Sequence, residues 1–222
     1  MDYPFLSLYS FPEASQLSGI PPRTVRSWVS QVDQEPRVSF LRLIELVVVA
    51  KLRKLERASY QEVFHAHQQI KQDEPLARYP FADWEFGRNM GKDVIGIIRA
   101  RRKGGPLVVP KPSQRMLEAI VEQFEYQGDF VCRWWPLGRK VRIIVDPRIH
   151  TGMPTIAGRG VAVEIISKRF RGACETIDDI AQDFDLTWEQ VEDAIRFSDR
   201  LGQLCWNRTV PEKGRANAPA QR

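Results

Sequence analysis

The chain has 222 residues, enough for one large domain or two small ones. Its 43% hydrophobic and 27% charged residues, with six tryptophans, lie near the globular average and exclude a low-hydrophobicity disordered chain. Lys and Arg outnumber Asp and Glu by 33 to 28, a net charge of +5 that permits nucleic-acid binding without demanding it, so the placement of the charges decides.

The longest apolar stretch, Leu41 to Leu55, is interrupted by Arg42, Glu45, Lys51, Arg53 and Lys54. A membrane span needs about 20 nearly uncharged residues, so none is expected and no membrane partner is inferred. Met1-Asp2-Tyr3-Pro4 lacks the basic and apolar regions of a signal peptide, and Cys132, Cys174 and Cys205 are odd in number and far apart. The expectation is a cytoplasmic protein with reduced thiols.

A short strand is expected at Phe5 to Tyr9, followed by Ser10 as a helix N-cap and a brief helix over Pro12 to Ser18 that Gly19 stops. Pro21-Pro22 opens a second helix through Arg23-Thr24-Val25-Arg26-Ser27-Trp28-Val29. Ala14, Leu17, Ile20, Val25, Trp28 and Val29 fall at core spacing, leaving Arg23, Thr24, Arg26 and Ser27 outside. Arginine forks and short hydroxyls on a second helix suit a major-groove reader. These 30 or so residues resemble the helix-turn-helix of the MerR-like regulators, although a structural helical hairpin has a similar pattern.

Ser39 begins the next helix, with Phe40, Leu43, Ile44, Val47, Val48, Leu52 and Leu55 on one face and Arg42 and Glu45 on the polar remainder. Ser59-Tyr60-Gln61-Glu62 is a capping box for a helix ending near Lys71. His65 and His67 on it face different ways and are expected at the surface or its boundary. No third His or Cys completes a metal set with them. From Pro75 to Pro112 glycines and prolines punctuate short apolar runs such as Val94 to Ile98, read as strands, turns and a connector. Arg99, Arg101, Arg102 and Lys103 form either a phosphate-tracking cluster or a solvated charged loop. Ser113 opens a helix through Phe124 that Gly128 ends.

After the aromatic segment Phe130 to Trp135, a strand at Val141 to Val145 leads into Asp146-Pro147, then Gly152-Met153-Pro154, Gly158 and Gly160. Thr176 with Asp179, and Thr187 with Gln190, mark two further helix starts. The glycines fit turns better than phosphates, since no G-x-G-x-x-G or Walker A pattern surrounds them. The run from Val141 to Arg200 resembles the antitoxin-type family catalogued as domain of unknown function 433. That resemblance implies a homeodomain-like three-helix bundle preceded by a short strand. Such a fold often reads DNA, yet Glu175 to Asp199 carries nine acidic residues against the single basic Arg196, a net of −8. Phosphates would repel it, so Glu189, Glu192 and Asp193 are assigned to protein contact, with a solvated acidic face as the plain alternative.

The expected fold class is therefore mainly α (α+β), divided as 1–75, a MerR-like winged helix-turn-helix; 76–140, a connector; 141–205, the helical antitoxin-type domain; and 206–222, a flexible tail. The two resemblances, in this order, imply a VapB-type antitoxin that represses its own operon and neutralises a PIN-domain ribonuclease. Arg208, Lys213 and Arg215 in the tail are candidates to enter that toxin's carboxylate cluster. A homodimer on a pseudo-palindromic operator is expected, since one short helix gives weak specificity. The competing reading is a MerR-like regulator whose ligand sits among Trp84, Phe86, Trp134 and Trp135. No enzyme or cofactor is inferred: the histidines and cysteines are few, and H-E-x-x-H, G-x-S-x-G and C-x-x-C are all missing.

Overall fold

A computed structural model describes residues 3–32, 36–73, 78–86, 91–103 and 111–206. The architecture is mainly helical, with three small antiparallel ribbons. In the N-terminal part β1 (Ser7–Tyr9) pairs with β2 (Val38–Ser39), and between them in sequence lie α1 (Phe11–Ser18) and α2 (Pro22–Val32). The helices α3 (Phe40–Glu56), α4 (Tyr60–Asp73), α5 (Gly91–Lys103) and α6 (Lys111–Val121) follow. The hairpin of β3 (Phe124–Gln127) and β4 (Phe130–Trp134) leads to β5 (Ile143–Ile144), β6 (Thr155–Ile156), α7 (Val163–Gly172), α8 (Ile177–Phe184) and α9 (Trp188–Trp206).

α3 is the axis of the larger core. Ser39 caps it by accepting from Arg42 N, and its residues from Phe40 to Val49 are buried all round, as expected of a helix enclosed by others. The apolar cluster around it runs from Tyr9 to Val145, so the head and the connector share one core. A second cluster, from Ile143 to Phe197, lies under α7, α8 and α9.

Burial of α3 includes two residues expected on its polar side. Arg42 and Glu45 are 1% and 0% exposed and form an ion pair. Glu45 also accepts from His67 Nε2 at 3.0 Å and from Phe81 N at 3.2 Å. Arg42 lies 4.7 Å from the centroid of the Tyr79 ring. His67 is thus not a boundary histidine: it is fully buried among the rings of Trp28, Phe64 and Phe81, whereas His65 is exposed as expected. Burial works to raise the Glu45 carboxyl, but Arg42, His67 and the Phe81 N–H outweigh it and hold it below its ordinary value.

Two further expectations are corrected. Val94 to Ile98 belongs not to a strand but to α5, whose Val94, Ile95 and Ile98 enter the core. The helix from Ser113 stops at Val121, and Phe124 already belongs to β3, with Gly128 at φ +63° in the hairpin turn. A short hydrophobic run carries no period of its own that separates strand from helix, so tertiary burial decides it.

The Asp146-Pro147 signature joins the two cores. Asp146 is fully buried and accepts from Arg148 N (3.0 Å), Arg148 Nη2 (2.7 Å) and Arg133 Nε of β4 (3.0 Å). A second tie runs from β1, where Tyr9 Oη donates to Gly152 O at 2.8 Å. Gly152 has φ +78°, and a Cβ there would collide with the Tyr9 hydroxyl, so only glycine fits.

Candidate nucleic-acid interface

α1 begins with a reciprocal capping box: Glu13 N donates to Ser10 Oγ at 3.4 Å, and Ser10 N donates to Glu13 Oε2 at 2.7 Å. It ends at Gly19, whose φ of 72° is left-handed and whose N–H returns to Ser15 O. Ser15 Oγ donates to Ile20 O at 2.5 Å, fixing the path of the turn. Pro22 then stands first in α2, where its missing N–H costs nothing. Ala14, Leu17, Ile20, Val25, Trp28 and Val29 are all buried.

The other face of α2 is polar. Arg23, Arg26 and Ser27 are exposed and Thr24 is half-buried. Arg26 lies 5.2 Å from the centroid of the Phe11 ring, a contact that orients the guanidinium across the start of α1. Gln31 Nε2 donates to Ser27 O and Oγ at 2.9 and 3.0 Å. Arg37 Nη2 donates to Leu8 O at 2.5 Å, placing a cation beside the β1–β2 ribbon. Sequence reasoning did not single out Arg37, whose contact with Leu8 lies 29 residues away in sequence.

In the second basic cluster Arg99 is engaged within the fold. Arg99 makes a bidentate pair with Glu56 (Nε–Oε2 2.6 Å, Nη2–Oε1 2.9 Å) and donates to Ser113 Oγ at 3.0 Å. It serves to join α3, α5 and α6. Arg101, Arg102 and Lys103 occupy the end of α5, with side chains outside the described residues.

At the far end of the chain α8 and α9 form another helix pair. Thr176 Oγ1 and Asp179 make the capping box of α8, which ends at Asp185 in a left-handed conformation (φ 52°). Thr187 and Gln190 exchange bonds of 3.0 and 3.3 Å at the start of α9. The segment's net of −8 is offset from outside it. Arg169 of α7 pairs with Glu175 and with Asp183, Arg171 with Asp199, and Arg159 with Asp185. Within α9, Arg196 Nη2 reaches Glu192 Oε1 at 2.6 Å. Glu189 is exposed, and hydrogen bonds from its own backbone and from Thr187 lower its carboxyl. Asp193 is raised by burial and by Glu192 and Glu189, against the pull of Arg196. Acidity therefore remains concentrated at the first turns of α9, beside Trp188, which is 45% exposed. Arg208, Lys213 and Arg215 lie outside the described residues.

Phe86 and Trp134 are core residues and Trp84 and Trp135 are half-buried. Trp135 Nε1 donates to Glu125 at 2.9 Å, so at least this ring has a structural partner. None of the four lines the cleft between α2 and α4, about 490 Å³ in volume. Among the described residues no cluster of three or more His, Cys, Asp or Glu is placed to hold a metal ion. No described helix is long and apolar enough to cross a membrane.

Fold and site together define a mainly helical protein with a capped helix pair near each end, basic on one and acidic on the other. The family described as "Protein of unknown function (DUF433)" matches residues 143–198, the segment from β5 through most of α9. The chain is also similar to the uncharacterized protein Rv2308 of Mycobacterium tuberculosis, with 24% identity over 226 aligned positions, 89% of this chain and 93% of that protein. The crystal structure of Rv2018 from Mycobacterium tuberculosis shares the fold: TM-score 0.70 at 21% identity, covering 86% of this chain and 97% of the other.

Proposed function

We propose that this protein is a VapB-type antitoxin of a type II toxin–antitoxin pair: it represses its own operon by binding DNA and neutralises a PIN-domain ribonuclease. The observation that carries the DNA-binding half is α2, which buries Val25, Trp28 and Val29 while exposing Arg23, Arg26 and Ser27. Arg23, Thr24, Arg26 and Ser27 are the proposed reading residues. Arg99 drops out of this set because Glu56 holds it, while Arg101, Arg102 and Lys103 stay as phosphate candidates. Reading by one 11-residue helix calls for a homodimer on two half-sites.

The toxin-facing half rests on the exposed Trp188 and Glu189 at the start of α9, with half-buried Glu192 and Asp193 one turn further on, an aromatic anchor among acidic residues. The tail residues Arg208, Lys213 and Arg215 remain candidates for the nuclease's carboxylates. A second reading, a MerR-like ligand-responsive regulator without a toxin, draws on the α2–α4 cleft rather than on Trp84, Phe86, Trp134 and Trp135.

A mobility shift of the purified protein on its own upstream DNA, at two salt concentrations, with and without the protein encoded beside it, tests the reading. A specific, salt-sensitive shift that the neighbour alters is expected. Absence of both the shift and any neighbour binding would overturn it.

A further inference from the structure

The cleft between α2 and α4 has the chemistry of a ligand site, and its volume of about 490 Å³ is within the range of small-molecule pockets. Trp28, Tyr60 and Phe64 contribute aromatic surface. These rings are held in place: Trp28 and Phe64 meet edge to face with centroids 5.1 Å apart, and the Arg53 guanidinium lies 3.6 Å from the centroid of Tyr60. Beneath them sits the buried His67–Glu45–Arg42 cluster, so the floor is backed by a fixed network. Walls set before binding lower the ordering cost for a ligand.

The polar lining carries no carboxylate, ammonium or guanidinium. Side-chain amides come from Gln31, Gln61 and Gln68, hydroxyls from Thr24, Ser27 and Tyr60, and an imidazole from His65. The lining offers an ion no carboxylate, ammonium or guanidinium, whereas its rings, amides, hydroxyls and the His65 imidazole offer what a neutral heteroaromatic ring with donor and acceptor edges requires.

We propose that the α2–α4 cleft binds a neutral planar heteroaromatic of nucleobase type, supplied as a free nucleoside, and that its occupancy competes with DNA for Thr24 and Ser27. The binding half stands on the cleft alone; the competition half rests on the proposed DNA-reading role of α2.

The test titrates the full chain with adenosine, guanosine, cytidine and thymidine into the millimolar range, read by calorimetry and ligand-observed NMR. Ser27→Trp fills the cleft from an exposed position, Gln61→Ala removes an amide from the opposite wall, and Glu118→Ala on the exposed side of α6 is the remote control. Thermal melting of each variant verifies the fold. At least one nucleoside should saturate a single site, with affinity reduced at least tenfold in Ser27→Trp, weakened in Gln61→Ala and unchanged in Glu118→Ala. No saturation by any of the four, or unaltered binding by folded Ser27→Trp, overturns the proposal. Ser27-dependent binding of an oligonucleotide without any binding of free nucleosides also overturns it, by placing the base in nucleic acid. A nucleoside that binds but leaves a specific DNA shift unchanged removes the competition half. A nucleoside that binds a chain showing no DNA shift would instead count against the proposed function of α2.

Discussion

The helix pairs near the two ends of the chain share one capping plan and carry opposite charge. α1 and α8 are each eight residues long, each starts with a reciprocal capping box, and each ends in a left-handed residue, Gly19 or Asp185. In both, the next helix begins three residues after that cap, at Pro22 or Trp188. Yet α2 exposes Arg23 and Arg26, while α9 opens with Glu189, Glu192 and Asp193. Capping and apolar spacing build such a pair; the outward charges, which the backbone does not dictate, set what it can approach.

The pairs also differ in what supports them, and this is where the largest effect is expected. α2 rests on the buried Arg42–Glu45–His67 cluster through Trp28. Glu45→Gln removes the buried carboxylate that Arg42, His67 and the Phe81 N–H share and should cost about 3–5 kcal/mol in urea unfolding. The native carboxyl lies below its unfolded value of about 4.5. Its contribution is therefore fully present above that pH and lost as pH falls through the native value, so Glu45→Gln should also flatten the acid limb of the stability profile. An unchanged acid limb would separate the cluster from the support of α2.

Gly152→Ala comes next, because it strikes the tie between the two regions. A side chain at φ +78° against the Tyr9 hydroxyl should cost about 1–3 kcal/mol and show in calorimetry as a lower melting temperature. If the two cores are coupled through this contact, both will melt earlier; a shift confined to one would break the coupling.

Matched cap deletions make the comparison sharper. Ser10→Ala and Thr176→Ala each remove a side chain that accepts from the third residue of its helix, and each should cost about 1 kcal/mol. Unequal losses, measured by urea unfolding, would mean that the two pairs are alike in geometry only. The smallest effect belongs to Arg171→Ala, which breaks an exposed pair with Asp199 and should cost less than about 1 kcal/mol, diminishing further with salt.

The caps were legible because their partners lie three residues away: Ser10 with Glu13, Ser59 with Glu62, Thr176 with Asp179, Thr187 with Gln190. The apolar side of the α1–α2 pair was legible for the same local reason. α5 was hidden because Gly91 and Gly96 read as breakers, although Gly96 is buried inside the helix. Arg99 looked available for phosphate because its partner, Glu56, lies 43 residues earlier. His67 and Glu45 looked like surface residues because only the tertiary fold brings each to the other, 22 residues apart. The acidic segment looked more naked than it is, since Arg159, Arg169 and Arg171 answer it from outside.

The division of labour between the two helix pairs is tested most directly by parallel charge reversal. Arg23→Glu with Arg26→Glu, and Glu189→Lys with Glu192→Lys, would be compared in one mobility-shift assay on the upstream DNA and one inhibition assay of the neighbouring nuclease. The first pair should abolish the DNA shift and leave inhibition intact, while the second should leave the shift and weaken inhibition. Loss of inhibition with the α2 changes alone, or loss of the DNA shift with the α9 changes alone, would contradict it.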